Sequence, residues 1–214
     1  VDANALYNNK RHSGSFNIDY SKEYANSSSL IAGSHSTLIM DDINNAIGEN
    51  PLFKHHSYNQ YVYVGYGGSF RQLRYNASIG MEGIWAKAGE ANYSYFRPRG
   101  NVSMTWIANK RNSVRLSYQL ANSAPSVAYL NPYNTSTDSL FISIGNPNLK
   151  PQMTHNASMS YTLNVGNLYF TPAVNYKYIS DVIEIFGYTK RNVYYSTYAN
   201  TGHFAQASAG MDLS

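Results

Sequence analysis

The stretch from Leu73 to Trp85 constrains the fold more than any other part of the chain. Its residues divide by parity. Leu73, Tyr75, Ala77, Ile79, Met81, Gly83 and Trp85 form one set, and Arg74, Asn76, Ser78, Gly80, Glu82 and Ile84 form the other. Successive side chains of a strand point to opposite faces, so the segment is a strand with one apolar and one polar face. Only Ile84 breaks the pattern. An ordinary globular strand is about 5–6 residues long. An alternation of this length suits a tilted strand crossing an outer membrane, which takes about 9–11 residues. Tyr75 and Trp85 stand near the two ends, where interfacial aromatic girdles lie. A long strand in a soluble sandwich gives the same local pattern.

Composition separates these classes further. Charged residues make up 13% of the 214-residue chain, about half the roughly 25% of soluble domains. Aromatics reach 14%, with 21 Tyr but 2 Trp, and mean hydropathy is −0.42. A disordered chain has fewer aromatics and more charge. A helical membrane protein needs apolar runs of about 18 residues or more, and the sequence has none. A wall with lipid on one side and water on the other fits, because each strand averages out to polar. The net charge of +4 comes from scattered pairs such as Lys110-Arg111 and Lys190-Arg191. These read as solvated turn charges, not as a nucleic-acid surface. The absence of cysteine excludes disulfides and thiolate metal sites. No signal peptide opens the chain, which therefore reads as mature or as an excised piece.

In chain order, residues 1–12 read as a loop. Strands follow around Phe16–Tyr20, Leu30–Met40, Tyr58–Tyr66, Leu73–Trp85, Val102–Ala108, Val114–Leu120, His155–Leu163, Leu168–Ile185 and Val193–Leu213. Short turns are expected near 22–28, 67–71, 109–112 and 165–167, with Gly67-Gly68 closing the third strand. Longer connections are expected at 41–57, 87–98 and 122–152, with a possible helical turn at Asp42–Ile47. Short turns on one side and long loops on the other characterise up-and-down outer-membrane barrels. A Greek-key sandwich has no reason to alternate its loops so regularly. A bulge is expected around Asn200-Thr201-Gly202. Two features run against the barrel. Pro172 lies inside a strand, where it removes a ladder donor, and about nine strands is odd where bacterial barrels are even.

Three stretches carry a family resemblance. Gly145-Asn146-Pro147-Asn148-Leu149-Lys150-Pro151 precedes a strand that begins near Thr154, and Gln152 stands where the related element ends in Glu. Leu130-Asn131-Pro132-Tyr133 lies earlier in the same connection. Tyr95-Phe96-Arg97-Pro98 leads on to Arg115-Leu116-Ser117-Tyr118, and Ser78-Ile79-Gly80-Met81-Glu82 adds a weaker match. Together these resemble the barrel of TonB-dependent outer-membrane receptors of the Bacteroidetes type. The resemblance implies an all-β fold of antiparallel transmembrane strands, about 8–10 of them, within a larger barrel of roughly 22. It treats residues 1–214 as one partial barrel region without the plug domain. It implies the Gram-negative outer membrane, contact with outer-membrane lipid, TonB coupling through a plug, and uptake of a small-molecule or glycan nutrient.

No catalytic, cofactor or metal constellation is expected. His55-His56 lacks partners at ligand spacing, and Gly65, Gly67 and Gly68 precede no helix. The chain is not expected to be an enzyme. Arg74, Asn76, Glu82, Arg115, Gln119 and Asn156 are the candidates to face the lumen. Tyr129, Asn131, Tyr133 and Asn134 are candidates to meet a ligand, against the alternative of a loop packed on itself. Pro147 and Pro151 fix φ and push Asn146 and Lys150 toward extended conformations, which makes a stiff re-entry into the next strand. A small non-transporting barrel or sandwich acting as a binding or adhesion module remains the rival function.

Overall fold

A computed structural model of the protein describes residues 7–25, 27–45, 52–134, 136, 138–166 and 168–214. Its strands are β1 (Tyr7–Glu23), β2 (Ser29–Asn45), β3 (Leu52–Phe70), β4 (Leu73–Ala88), β5 (Ala91–Asn109), β6 (Asn112–Ser123), β7 (Phe141–Ser143), β8 (Gln152–Val165), β9 (Leu168–Lys190) and β10 (Val193–Leu213). One short helix, α1 (Val127–Leu130), lies between β6 and β7. All ten strands belong to one sheet in the order β1-β2-β3-β4-β5-β6-β8-β9-β10-β7. The nine long strands pair antiparallel with their neighbours, and the three-residue β7 runs parallel to β10 along its other edge. The expected nine strands are therefore present, with one short strand added from within the long connection.

Three expected loops turn out to be strand. Residues 7–12 belong to β1, while 1–6 lie outside the described residues. Residues 41–45 extend β2 and 52–56 extend β3, so Asp42–Asn45 is strand and not a helical turn; Ala46 and Ile47 lie outside the described residues. Residues 87–98 form the top of a hairpin whose turn is Gly89-Glu90, with Gly89 at φ +61°. Gly67-Gly68 does not close β3 either, which continues to Phe70 before the Arg71-Gln72 turn. The long strands have 12 to 23 residues, more than the roughly 9–11 a crossing takes. The surplus continues the ladders beyond the crossing zone. Loop lengths therefore do not alternate as expected: Gly89-Glu90 and Arg191-Asn192 are two-residue turns at the same end as the 124–151 connection. Arg191 and Asn192 both have positive φ, the twist a tight hairpin prefers.

Both local irregularities have visible solutions. The β8–β9 ladder pairs Ser160 with Ala173 and Leu163 with Phe170, and leaves Thr171 and Pro172 between them unpaired. Pro172, which has no N–H to give, sits in that gap and faces Met211 of β10 on its other side. The β9–β10 register slips between Asn200 and His203, where the bulge was expected, and Asp181 opposite has φ +55°.

The faces of the sheet follow the parity of β4. Ile79 is 67% exposed and Met81 50%, on the same outward face as Val62, Val64, Leu116 and Met159. Among the described residues no second sheet or helix layer covers them. Trp85 and Tyr75 lie ten positions apart on this face, about 33 Å along a strand and about 25 Å along the normal at roughly 40° tilt. That is the height of a lipid-facing band between girdles. Above Trp85, toward the long connection, the polarity inverts. The outward residues become Lys54, His56, Lys87 and Asn92, while inward Ile84, Ala86, Ala88 and Phe53 are buried. Ile84 breaks the alternation because it stands at this inversion. The buried core lies here: Ile43, Phe53 and Ala88 from the wall meet Val127, Leu130 and Leu149 from the connection, with Tyr93, Tyr133, Ile183 and Tyr198 around them.

Candidate functional site: the inward face and the loop over it

The inward face below the core is largely polar, with Ile31, Ile179 and Phe204 as apolar exceptions on the same parity. Cross-strand pairing aligns Ser78, Asn101, Gln119, Asn156, Lys177 and Gln206 in one row. Ser78 donates to Asn101, and the Ser117 and Ser158 hydroxyls share a hydrogen bond of 2.6 Å. All six expected lumen residues have inward parity. Asn76 and Glu82 line one hollow with His35, Tyr61, Tyr63 and Arg99. Gln119 and Asn156 line a second with Asn175, Lys177 and Ser208. Arg74 and Arg115 sit together near the short-turn end, each directly opposite Thr105.

Sequence reasoning missed the groups that give this face its character. Asp19 accepts from the Tyr63 hydroxyl at 2.7 Å and hydrogen-bonds His35 Nε2 at 2.8 Å. Tyr61 stacks on Tyr63 with centroids 5.3 Å apart. The Arg99 guanidinium lies 4.5 Å from the Tyr61 ring centroid and donates to Glu82 at 3.2 Å, a cation–π contact joined to an ion pair. Asn122 donates to the second Glu82 oxygen at 3.1 Å, and Arg97 donates to Asp181 at 3.2 Å. The strip thus offers flat ring faces between fixed carboxylates and amides, a chemistry that contacts sugar rings and polar solutes. Arg97 and Arg99 share the parity of Asn101, a signal lost once 87–98 is taken as loop and the next strand is begun at Val102. Tyr61 and Tyr63 gave none, because both parities of β3 carry rings or branched chains.

The long connection folds down onto this face. Gly145 donates to the Asn131 carbonyl at 2.7 Å and Asn146 to the Tyr129 carbonyl at 2.6 Å. A Cβ on Gly145 would meet both oxygens at 2.5 Å, so only glycine lets the two chain segments approach so closely. Leu149 is fully buried, and its carbonyl accepts from Tyr95 at 3.0 Å. Of the four candidate ligand residues, Asn131 is 2% exposed, and its side chain accepts from the Tyr133 N–H at 3.1 Å. Tyr133 packs edge-on against Phe53. Asn134 accepts from the Ser136 and Ser143 backbones, both at 3.0 Å. Tyr129 stacks on Tyr198 with ring centroids 4.3 Å apart and remains partly exposed.

One charged network closes the top of the wall. Arg11 donates twice to the fully buried Asp41 carboxylate, at 2.6 and 3.2 Å, a bidentate pair. His55 Nδ1 lies 3.4 Å from the same carboxylate and its Nε2 lies 3.0 Å from the Tyr93 hydroxyl. A neutral ring with its proton on Nδ1 satisfies both contacts. Burial holds the His55 pKa below its ordinary value, against the pull of Asp41. Burial likewise pushes the Tyr93 phenol up, so it stays a donor.

Solved structures of the same shape include transporters and receptors. The FrpB iron transporter of Neisseria meningitidis superposes with a TM-score of 0.70 at 12% identity, over 95% of this chain and 33% of that one. The Serratia marcescens hemophore receptor HasR, solved with its hemophore HasA and heme, gives 0.72 at 8% over 97% and 40%. The ferric enterobactin receptor PfeA of Pseudomonas aeruginosa gives 0.70 at 12% over 97% and 33%. This chain thus spans between a third and two fifths of the length of these structures. A sequence comparison with curated proteins finds no match. The family model described as the outer membrane protein beta-barrel family matches residues 2–214. With its apolar outer band and polar inner wall, the chain belongs to that family and lies in the Gram-negative outer membrane.

Proposed function

We propose that the chain forms part of the wall of a TonB-coupled outer-membrane receptor that imports a small-molecule or glycan nutrient. The observation that carries this is the inward folding of the 124–151 connection over a polar, ring-bearing strip. A structural barrel needs no such roof, whereas a receptor needs a selective entrance above its path. The similarity to iron, heme-linked and enterobactin-binding proteins supports import as a class. The ring faces of Tyr61, Tyr63 and Tyr129 suit a solute with flat or sugar-like surfaces. No bond is made or broken by this chain in the proposed cycle.

Uptake by cells carrying the full-length protein tests the proposal. Deleting Asn131–Leu140 should reduce accumulation of the labelled nutrient while the protein still reaches the outer membrane. A protonophore, which removes the energy behind TonB, should abolish accumulation by the unaltered protein. Uptake that persists after the protonophore contradicts the coupling, and uptake unchanged by the deletion removes the loop from the entry path.

A further inference from the structure

The outward face changes character within one strand step at the long-connection end. Leu38, Tyr58, Trp85 and Ser94 form one cross-strand row, and Met40, His56, Lys87 and Asn92 form the next. Two residues along a strand span about 7 Å, so the rings and the Lys87 ammonium fall within the depth of one lipid headgroup. Tyr58 and Trp85 stack at 5.8 Å, and Phe96 meets Trp85 edge-on at 5.4 Å. The Trp85 ring lies over Gly83, where a side chain would displace it. Leu38, Tyr58 and Trp85 line a groove together with His56, Lys87 and Asn92.

The charge around the groove is unbalanced toward positive. Lys54 lies one row further up, opposite Asp42, and Lys10 lies opposite Asp42 on its other side. Glu90 lies at the tip of the β4–β5 hairpin, and Asp41 is engaged by Arg11. Lys54, His56 and Lys87 take part in no ion pair among the described residues. A ring platform at the edge of an apolar band, with Lys87 and Lys54 just above it, matches the junction between acyl chains and an anionic headgroup. A free anion in solution has no use for the rings. The long connection marks the extracellular end, so the leaflet involved is the outer one.

We propose that this groove binds the phosphate-bearing headgroup of an outer-leaflet lipid. Lys87 supplies the charge, His56 and Asn92 supply polar contacts, and the Tyr58–Trp85 pair lies against the base of the headgroup. The proposal rests on the membrane orientation argued above.

The test is lipid retention by the full-length protein in phosphatidylcholine nanodiscs containing a titrated fraction of lipid A, counted by mass spectrometry. Lipid A should be enriched on the protein above its bulk fraction. Lys87→Gln and Lys54→Gln should each weaken that enrichment about fivefold, from about 1 kcal/mol per basic residue near an anionic surface. Lys87→Arg should retain it, and Lys110→Gln at the opposite end should leave it unchanged. Enrichment that survives Lys87→Gln, or that falls equally with Lys110→Gln, overturns the site. Displacement of lipid A by millimolar inorganic phosphate also overturns it, because the groove would then be a free-anion site. Failure to enter nanodiscs contradicts the membrane orientation itself; entry without lipid A enrichment contradicts only this site.

Discussion

Asn200 and Lys150 hold each other across fifty residues of chain. The Lys150 N–H donates to Asn200 Oδ1 at 2.8 Å, and Asn200 Nδ2 donates back to the Lys150 carbonyl at 3.1 Å. The same Nδ2 reaches the Asp181 carbonyl at 2.7 Å. The β10 bulge thereby turns one side chain into a clamp on the Gly145–Pro151 corner, which Asn146 reinforces by donating to the Tyr198 carbonyl at 2.9 Å. Asn200→Ala removes all three contacts, at a net cost of about 1–3 kcal/mol given the usual worth of a hydrogen bond and the penalty for stranded partners. Hydrogen exchange at the Lys150 amide should accelerate accordingly, with Asn200→Asp, which keeps only the acceptor, falling between. An unchanged rate in Asn200→Ala would show that the corner holds without the clamp.

Phe53 and Leu149 are both fully buried in an apolar cluster that joins wall and loop. Phe53→Ala should cost about 3–5 kcal/mol and Leu149→Ala about 2–5 kcal/mol. Because they share one cluster, the double variant should fall short of the sum by about 0.5–3 kcal/mol. Urea titrations of the refolded protein in detergent measure all three. Strict additivity would mean that the loop and the wall do not pack as one core.

Ile79 and Ser78 are chain neighbours on opposite faces, and Ile79 lies in the middle of the outward band. Ile79→Arg should destabilise the folded barrel by about 2–4 kcal/mol, as a charge at the lipid midplane does. Ser78→Arg points into the polar hollow and should cost much less. Equal losses in folding titrations would mean that both faces are dry.

His55 sets an acid limit on the upper core. Its ordinary pKa is 6.5 and burial holds the folded value lower. Below about pH 6.5 the unfolded chain therefore binds a proton that the folded one refuses, and stability falls as pH drops. The urea midpoint at pH 5.5 should lie below that at pH 7.5, and His55→Gln should flatten the difference. A midpoint that rises on acidification in the unaltered protein would mean that His55 is charged beside Asp41 at neutral pH.

Much of the wall was legible in the sequence because lipid and water impose opposite parities. That contrast located the crossing strands, the last one at Val193–Leu213, and gave Arg74, Asn76, Glu82, Arg115, Gln119 and Asn156 their inward parity. The hairpin tops were illegible for a physical reason. Above Trp85 the outside is water and the inside is a packed loop, so Lys87 and Asn92 point out while Ala88 and Tyr93 point in. Read with the parity of the membrane zone, the segment looks patternless, and it passes for a loop. Asp19, His35 and Arg99 were hidden differently: their roles depend on partners one and two strands away, and only the register brings them together. The buried state of Asn131 was equally out of reach, since nothing local distinguishes an asparagine that tethers a loop from one that meets a solute.

The two-solvent wall is tested most directly by spin labels placed singly at Leu116, Ser117, Tyr118, Gln119 and Leu120, reading collision rates with oxygen and with a water-soluble nickel chelate in the membrane-embedded protein. Oxygen should peak at 116, 118 and 120 and the chelate at 117 and 119, in opposite phase with a period of two. Oxygen and chelate rising and falling together along the strand would contradict it.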